Sequence, residues 1–355
     1  MHILHTESSN GWGGQEIRIL KEAVGLRASG NFQISFAVVR GAKLGAYAQK
    51  EGFCVIEINF KRSQSFLALW QLCRMIKKQK IDVVNTHSSL DAWLGGLAAR
   101  MMGKKVVRTR HLSTPIRGGI NARLLYNRLA DFVVTTSSAI IPEIKEKACL
   151  PSHRIRCIAT GVEPFEIASS AAQEFRRSIG VKEGEILVGT VCVVRSWKGI
   201  QDLIGAAKLL RGNPQFKWVV VGGGYIHHFQ PLVDADLPFV FTGHLEDPRP
   251  AFAALDIFAL LSTAHEGISQ ASLQAAFLKK PLVTTRVGGL TEVCRDGETG
   301  FVVRVGSPES VVEAVIKLGE DEGLRNRMGE AGYGLVMEKY TQRQMLEQMA
   351  LVFSG

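Results

Sequence analysis

Ser262-Thr263-Ala264-His265-Glu266-Gly267-Ile268-Ser269-Gln270-Ala271-Ser272-Leu273-Gln274 is the stretch on which the reading of this chain turns. The apolar run Ile257-Phe258-Ala259-Leu260-Leu261 precedes it and reads as a buried strand. Ala271 through Leu278 follows and reads as a helix. A strand, a short polar loop with a glycine, and a helix start together present backbone N–H groups to an anionic ligand in α/β proteins. Glu266 stands in that loop, within reach of a ligand's hydroxyls, and Gln274 lies eight residues further on.

Outward from this stretch the same alternation repeats. In the first half, strands are expected at His2–Thr6, Gln33–Val39, Cys54–Ile58, Val83–Thr86, Lys105–Thr109 and Phe132–Thr135. Helical patterns fall between them at about 14–29, 43–51, 64–79, 90–102, 119–130 and 138–147. Residues 160–171 have turn chemistry and little apolar periodicity, which places a linker there. The alternation then restarts with strands at Glu185–Val193, Lys217–Val221, Val240–Thr242, Ile257–Leu261, Pro281–Thr285 and Gly300–Val303. Strand–helix alternation of this kind implies parallel sheets covered on both faces. The expectation is an α/β chain of two Rossmann-like domains, 1–165 and 170–340, facing an interdomain cleft, with the last helix (about 341–355) crossing back to the first.

Composition bounds the class. The 355 residues suffice for two domains, and 46% hydrophobic content with 36 glycines suits a globular enzyme rich in strand–helix turns. The apolar runs are short and interrupted, so no membrane span is expected. Met1 leads straight into the first strand without a basic start and apolar signal core, and the six cysteines lack a CxxC pair. A cytoplasmic protein with reduced thiols is the expectation. The net charge of +10 is uneven: residues 1–170 hold 24 Lys and Arg against 12 Asp and Glu, residues 171–355 hold 19 against 21. An anionic membrane, a phosphorylated substrate, a nucleic acid or an ordinary solvated surface would each account for the basic half.

Several turns can carry chemistry. Gly11-Trp12-Gly13-Gly14-Gln15-Glu16 joins the first strand to a helix, either as a tight turn or as a close backbone approach to phosphate or sugar. Arg195 and Lys198 leave a strand three residues apart, where the second domain's first strand–helix loop is expected. An arginine can grip phosphate with two parallel bonds, while a lysine supplies a compact charge. Val221-Gly222-Gly223-Gly224 ends another strand and suits either a nucleotide lying over the turn or tight packing. His87 and the Arg108-Thr109-Arg110-His111 run sit at strand ends in the first half, and Arg110 and His111 are candidates for an anionic acceptor. Asp234-Ala235-Asp236 reads as solvated loop, and His227-His228 lacks spaced ligand partners, so no metal site is expected.

Taken together, these residues resemble family 4 of the glycosyltransferases, whose members share the GT-B fold. The resemblance runs through Gly13-Gly14-x-Glu16, Thr86-His87-Ser88, Thr160-Gly161-Val162-Glu163, Arg195 with Lys198-Gly199, Gly222-Gly223-Gly224, Glu266-Gly267, Val287-Gly288-Gly289-Leu290-Thr291-Glu292 and Asp296-Gly297-Glu298-Thr299-Gly300. The spacing from Glu266 resembles the family's Glu-x7-Glu signature, with Gln274 in the second acidic position. Many members carry an Arg five residues before the loop Lys, where this chain has Val193 and Arg195 stands closer.

The resemblance implies a retaining, metal-independent transfer of sugar from a nucleotide diphosphate donor to an acceptor hydroxyl, without a cofactor. Arg195 and Lys198 would stabilise the leaving diphosphate. Glu266, with the amides near Gly267, Ile268 and Ser269, would orient the donor sugar, and His87 would approach it from the other domain. Gly13, Gly14, Gly222 and Gly223 would line the donor, and Gln274 would accept a bond from its ribose. The expected acceptor is a glycan or glycolipid of lipopolysaccharide, capsule or another cell-envelope polymer. Lys61-Arg62 through Phe66, Trp70 and Lys77-Lys78-Gln79-Lys80 is a candidate contact with an anionic membrane, against the plainer reading of a helix covering the sheet.

Rival readings are a nucleotide-sugar epimerase of the same fold or an inactive nucleotide-sugar-binding homologue. A dehydrogenase is disfavoured because the glycine turns lack GxGxxG. A nucleic-acid partner is not expected, because the basic residues are not interleaved with aromatic platforms.

Overall fold

The computed structural model describes residues 1–111 and 114–355, and of Arg62 the backbone alone. The chain divides into two compact units, Met1–Thr160 with Arg343–Gly355, and Gly161–Gln342. Each is built on one parallel sheet.

The first unit contains β1 (His2–Glu7), β2 (Gln33–Val39), β3 (Cys54–Ile58), β4 (Val83–Thr86), β5 (Lys105–Arg110), β6 (Phe132–Thr135) and β7 (Ile155–Cys157). They lie in the order β3-β2-β1-β4-β5-β6-β7, every pair parallel. β1 is buried along its whole length, as a central parallel strand must be. One core packs Ile3, Ile19, Phe36, Met345, Met349 and Phe353 together, and a second collects Leu4, Leu72, Ile76, Val84 and Ile144. The last helix, Gln342–Ser354, therefore belongs to the first unit for most of its length. Its end is fixed by Lys105 Nζ, which donates to the carbonyls of Val352 (2.6 Å) and Phe353 (3.2 Å). Strand β7 lies outside the strands read from sequence; three residues are too few to show a period.

The second unit contains β8 (Ile186–Val191), β9 (Phe216–Val221), β10 (Phe239–Gly243), β11 (Ile257–Leu260), β12 (Leu282–Thr285) and β13 (Gly300–Val303). Their order is β10-β9-β8-β11-β12-β13. Strand β8 ends at Val191, shorter than its apolar run, and Val194 instead bridges to Gly224. Trp218, Phe216, Val188 and Leu203 fill the core beside it.

In both sheets the order of strand addition reverses at one place, between β1 and β4 in the first unit and between β8 and β11 in the second. Ligands of open α/β sheets bind beyond the strand ends at such a reversal. The loops after these four strands carry His87, Arg195, Lys198 and Glu266.

Candidate active site

In the second unit the loops after β8 and β11 are bound to each other. Thr263 N donates to Trp197 O at 2.8 Å, and the edge of Trp197 meets His265 at 5.4 Å. Gly199 adopts a left-handed φ of +67°, and a Cβ there would lie 2.0 Å from Leu261 O. Only glycine lets the two backbones approach so closely. The result is that Lys198 Nζ reaches Glu266 Oε1 at 2.6 Å, and Ser262 Oγ donates to the same oxygen at 2.6 Å. The Lys198 and Glu266 side chains are 18% and 7% exposed, so the pair is well shielded. Ser262 is itself anchored, its carbonyl accepting from Thr285 Oγ1.

Arg195 is half-buried and lies 5.1 Å over the ring of Tyr225. The glycine turn after β9 makes that position possible. Val194 N donates to Gly223 O at 2.8 Å, and Tyr225 N returns a bond to Val194 O at 3.1 Å. A Cβ on Gly222 would come within 1.9 Å of Cys192 O, and one on Gly224 within 2.4 Å of Val194 O. Close packing accounts for Gly222 and Gly224, whereas a Cβ on Gly223 would meet nothing nearer than His244 Cβ, at 3.3 Å. Gly267 and Ile268 are buried, while Ser269 caps the helix Gln270–Phe277 by accepting from Ser272 N at 3.2 Å. Gln274 is half-buried in that helix.

In the first unit the adjacency of β1, β4 and β5 creates a file of three buried imidazoles. His5 Nδ1 lies 2.9 Å from His87 Nε2, and His87 Nδ1 lies 2.9 Å from His111 Nε2. Both nitrogens of His87 are thus committed to other histidines. Burial first, then His111, His5, Arg18 and Arg108, holds His87 well below the ordinary imidazole range. Burial pushes His5 down to about 3 and, with Arg18 and Arg108, lowers His111 strongly. All three are neutral at physiological pH.

Beside them Asp91 forms a capping box with Ser88, accepting from Ser88 N at 3.0 Å and from His87 N at 2.9 Å. Burial, followed by the charge of Asp91, pushes Glu7 up to about 7. Arg110 Nη1 donates to Tyr126 Oη at 2.7 Å, and Arg108 lies 4.9 Å over the Tyr126 ring. The Gly13 amide donates to Glu16 Oε2 at 2.9 Å at the start of the helix Gly14–Ala28. Gly14 is exposed, and a Cβ there would meet nothing within 4 Å. Its side-chain space is unclaimed by the protein.

The structure therefore gathers Glu266, Lys198 and Arg195 at adjoining loops of the second unit, and His87, Arg110 and His111 at adjoining strand ends of the first. Asp234 and Asp236 stand apart, paired on the surface with Arg211 and Lys208. Among the described residues no group of three His, Cys, Asp or Glu is arranged to hold a metal ion.

Two family models match the chain. The model of Glycosyltransferase Family 4 matches residues 12–164, and that of Glycosyl transferases group 1 matches residues 171–335. Between them they account for almost all of both units. The chain belongs to the family 4 glycosyltransferases.

This glycosyltransferase is 24% identical to N-acetyl-alpha-D-glucosaminyl L-malate synthase of Bacillus anthracis, over 80% of its own length and 77% of that protein's. It is also 24% identical to a capsular polysaccharide biosynthesis glycosyltransferase of Staphylococcus aureus, over 81% and 80%. Among solved structures, Anabaena HepE in complex with UDP and glucose matches with a TM-score of 0.86 at 20% identity, covering 100% of this chain and 99% of that one. The fold of the glycosyltransferase is GT-B.

The sequence of this glycosyltransferase by itself assigns no role to His5, Glu7, Asp91, Ser262 or Tyr126. The Ser88-x-x-Asp91 spacing was a usable signal, being that of a capping box. His5 and Tyr126 carry none, because their partners depend on strand order.

Proposed function

We propose that this glycosyltransferase moves a sugar from a nucleotide diphosphate sugar to a hydroxyl of a cell-envelope glycan or glycolipid, with retention of anomeric configuration and without a metal ion. The observation that carries the proposal is the shielded Lys198–Glu266 pair, with Arg195 on the same loop as Lys198. Departure of a nucleoside diphosphate develops negative charge, and two cations fixed before the reaction stabilise it without reorganisation. Glu266, held by Lys198 and Ser262, offers a carboxylate to the donor sugar's hydroxyls. Gln274 takes the ribose, its carbonyl accepting where a carboxylate would. The UDP and glucose bound by HepE and the capsule role of the Staphylococcus aureus relative support this donor class and this setting.

The proposal extends to the inner face of an anionic membrane. Phe66, Leu67 and Trp70 are 85%, 50% and 52% exposed on the helix Ser65–Lys78, whose far end carries the exposed Lys77 and Lys78. Apolar side chains beside lysines suit an interface between headgroups and acyl chains. No described helix is long and apolar enough to cross a membrane.

A thermal-shift screen against nucleotide diphosphate sugars, with EDTA and with added Mg²⁺, tests the proposal. Stabilisation by at least one donor, equal in both conditions, is expected. Stabilisation by none, or only with metal, contradicts it.

A further inference from the structure

The first unit contains a cavity of about 520 Å³ whose chemistry goes beyond the transfer reaction itself. Arg108, Arg110 and Arg117 line it, together with Trp93, Ile116 and Leu125. Among the described residues, no Asp or Glu lines it. Arg108 is only 3% exposed, yet its Nε has no hydrogen-bond partner, and neither does the buried Nε of Arg110. Guanidinium groups removed from water and incompletely bonded are costly unless an anion completes them.

The nearby carboxylates do not fill that role. Asp91 is taken up by His87 N, Ser88 N, Thr6 Oγ1 and Ser8 Oγ. Glu143 accepts from Lys147 Nζ at 2.6 Å and from Ile116 N at 2.9 Å. Meanwhile Tyr126 orients two of the arginines, receiving a bond from Arg110 at 2.7 Å and stacking under Arg108. Arg117, exposed at the rim, adds a third guanidinium to the lining.

From this arrangement we infer that the cavity binds the phosphate or diphosphate group of the acceptor, so that the acceptor is a phosphate ester. The inference rests on the transferase reading for the word acceptor; the anion site stands without it. Trp93, Ile116 and Leu125 give the same cavity an apolar wall for the group that the phosphate carries. Leu90, Leu97 and Met101, 39%, 42% and 63% exposed, flank Trp93 at helical spacing on Ser89–Met101 and leave further apolar surface on that helix. The ester can be lipid-borne or a soluble sugar phosphate.

Calorimetric titration of the full chain with geranyl diphosphate, glucose 1-phosphate and geraniol tests the inference. At least one phosphate ester binds, geraniol does not, and Arg117→Gln and Arg110→Gln each weaken binding about ten-fold, the loss of one charge-assisted contact. Arg117 is exposed, so its variant keeps the fold, and thermal melting verifies this for both. Asp234→Ala, at a surface ion cluster of the other unit, leaves these titrations unchanged. Tighter binding of geranyl diphosphate marks a lipid-borne acceptor and tighter binding of glucose 1-phosphate a soluble one; either supports the inference. Binding of geraniol equal to its diphosphate, binding lost in Lys198→Ala but kept in both arginine variants, or no binding of either ester overturns it. Arginine-dependent binding of an ester in a chain that binds no nucleotide sugar would reject the transferase reading and leave the anion site intact.

Discussion

Lys198 Nζ lies 2.6 Å from Glu266 Oε1, joining loops 68 residues apart in sequence. The contact exists because β8 and β11 are neighbours at the reversal of the second sheet, and because Gly199 lets one loop touch the other. It fixes a cation and a carboxylate before any substrate arrives. Lys198→Ala and Glu266→Ala are therefore expected to lower transfer by about 10² to 10³-fold, the scale of removing a pre-positioned electrostatic group. Asp234→Ala, on a surface ion cluster, leaves transfer unchanged. Steady-state kinetics of the three variants checks this.

Two glycines separate packing from ligand approach. Gly222→Ala drives a Cβ toward Cys192 O at a φ of +130°, and it should destabilise the chain by several kcal/mol in denaturant melts. Gly14→Ala meets no protein atom within 4 Å, and its melt should match the parent. If substrate occupies that space, the same variant loses activity while staying folded.

Gln274→Glu restores the acid that resembling enzymes carry at this position. With Gln274 at the ribose as proposed, the expected result is a changed donor KM with kcat held, the mark of a contact made equally in ground and transition state. A fall in kcat with constant KM would place Gln274 in the chemical step instead.

The histidine file makes a pH prediction. His5 titrates near 3 in the folded chain, against about 6.5 when unfolded. Between those values the unfolded chain holds a proton that the folded chain does not, so stability is lost as pH falls below about 6.5. Glu7 and Glu22, both pushed up to about 7 by burial, act oppositely from about 7 down to 4.5 and make the whole-protein profile shallower there. His5→Phe removes one such proton. Relative to the parent it should gain about 1.4 kcal/mol per pH unit on acidification through the window, measured by urea melts.

Phe66→Ser with Trp70→Ser tests the membrane proposal. The parent should sediment with vesicles containing phosphatidylglycerol and the double variant should not, while both ignore neutral vesicles. Equal sedimentation of the two would remove this helix from the contact.

Much of the fold was legible because parallel strands announce themselves. Ile257–Leu260 and Val83–Thr86 are short apolar runs ending in polar loops, and the helices between them carry clear periodicity. Glu266, Arg195 and Lys198 were legible as loop residues, but their proximity was not, since strand order is a tertiary property. The same holds for His5, His87 and His111: each sits in an ordinary strand or strand end, and only the order β1-β4-β5 places their nitrogens 2.9 Å apart. Gly222 and Gly14 look alike in sequence, yet one makes room for Cys192 and the other for nothing in the chain. The anion cavity was visible only as Arg108-x-Arg110; Trp93, Arg117 and Tyr126 come from three other segments.

Retaining transfer at the Glu266–Lys198 site can be read by proton NMR of donor turnover in water without acceptor. An α-linked nucleotide diphosphate sugar found to stabilise the chain is incubated with it, and the first-formed anomer of the released sugar is read before mutarotation. The α anomer is expected first, at a rate lost in Lys198→Ala. Release of the β anomer first, or unchanged turnover in that variant, would contradict retaining transfer at this site.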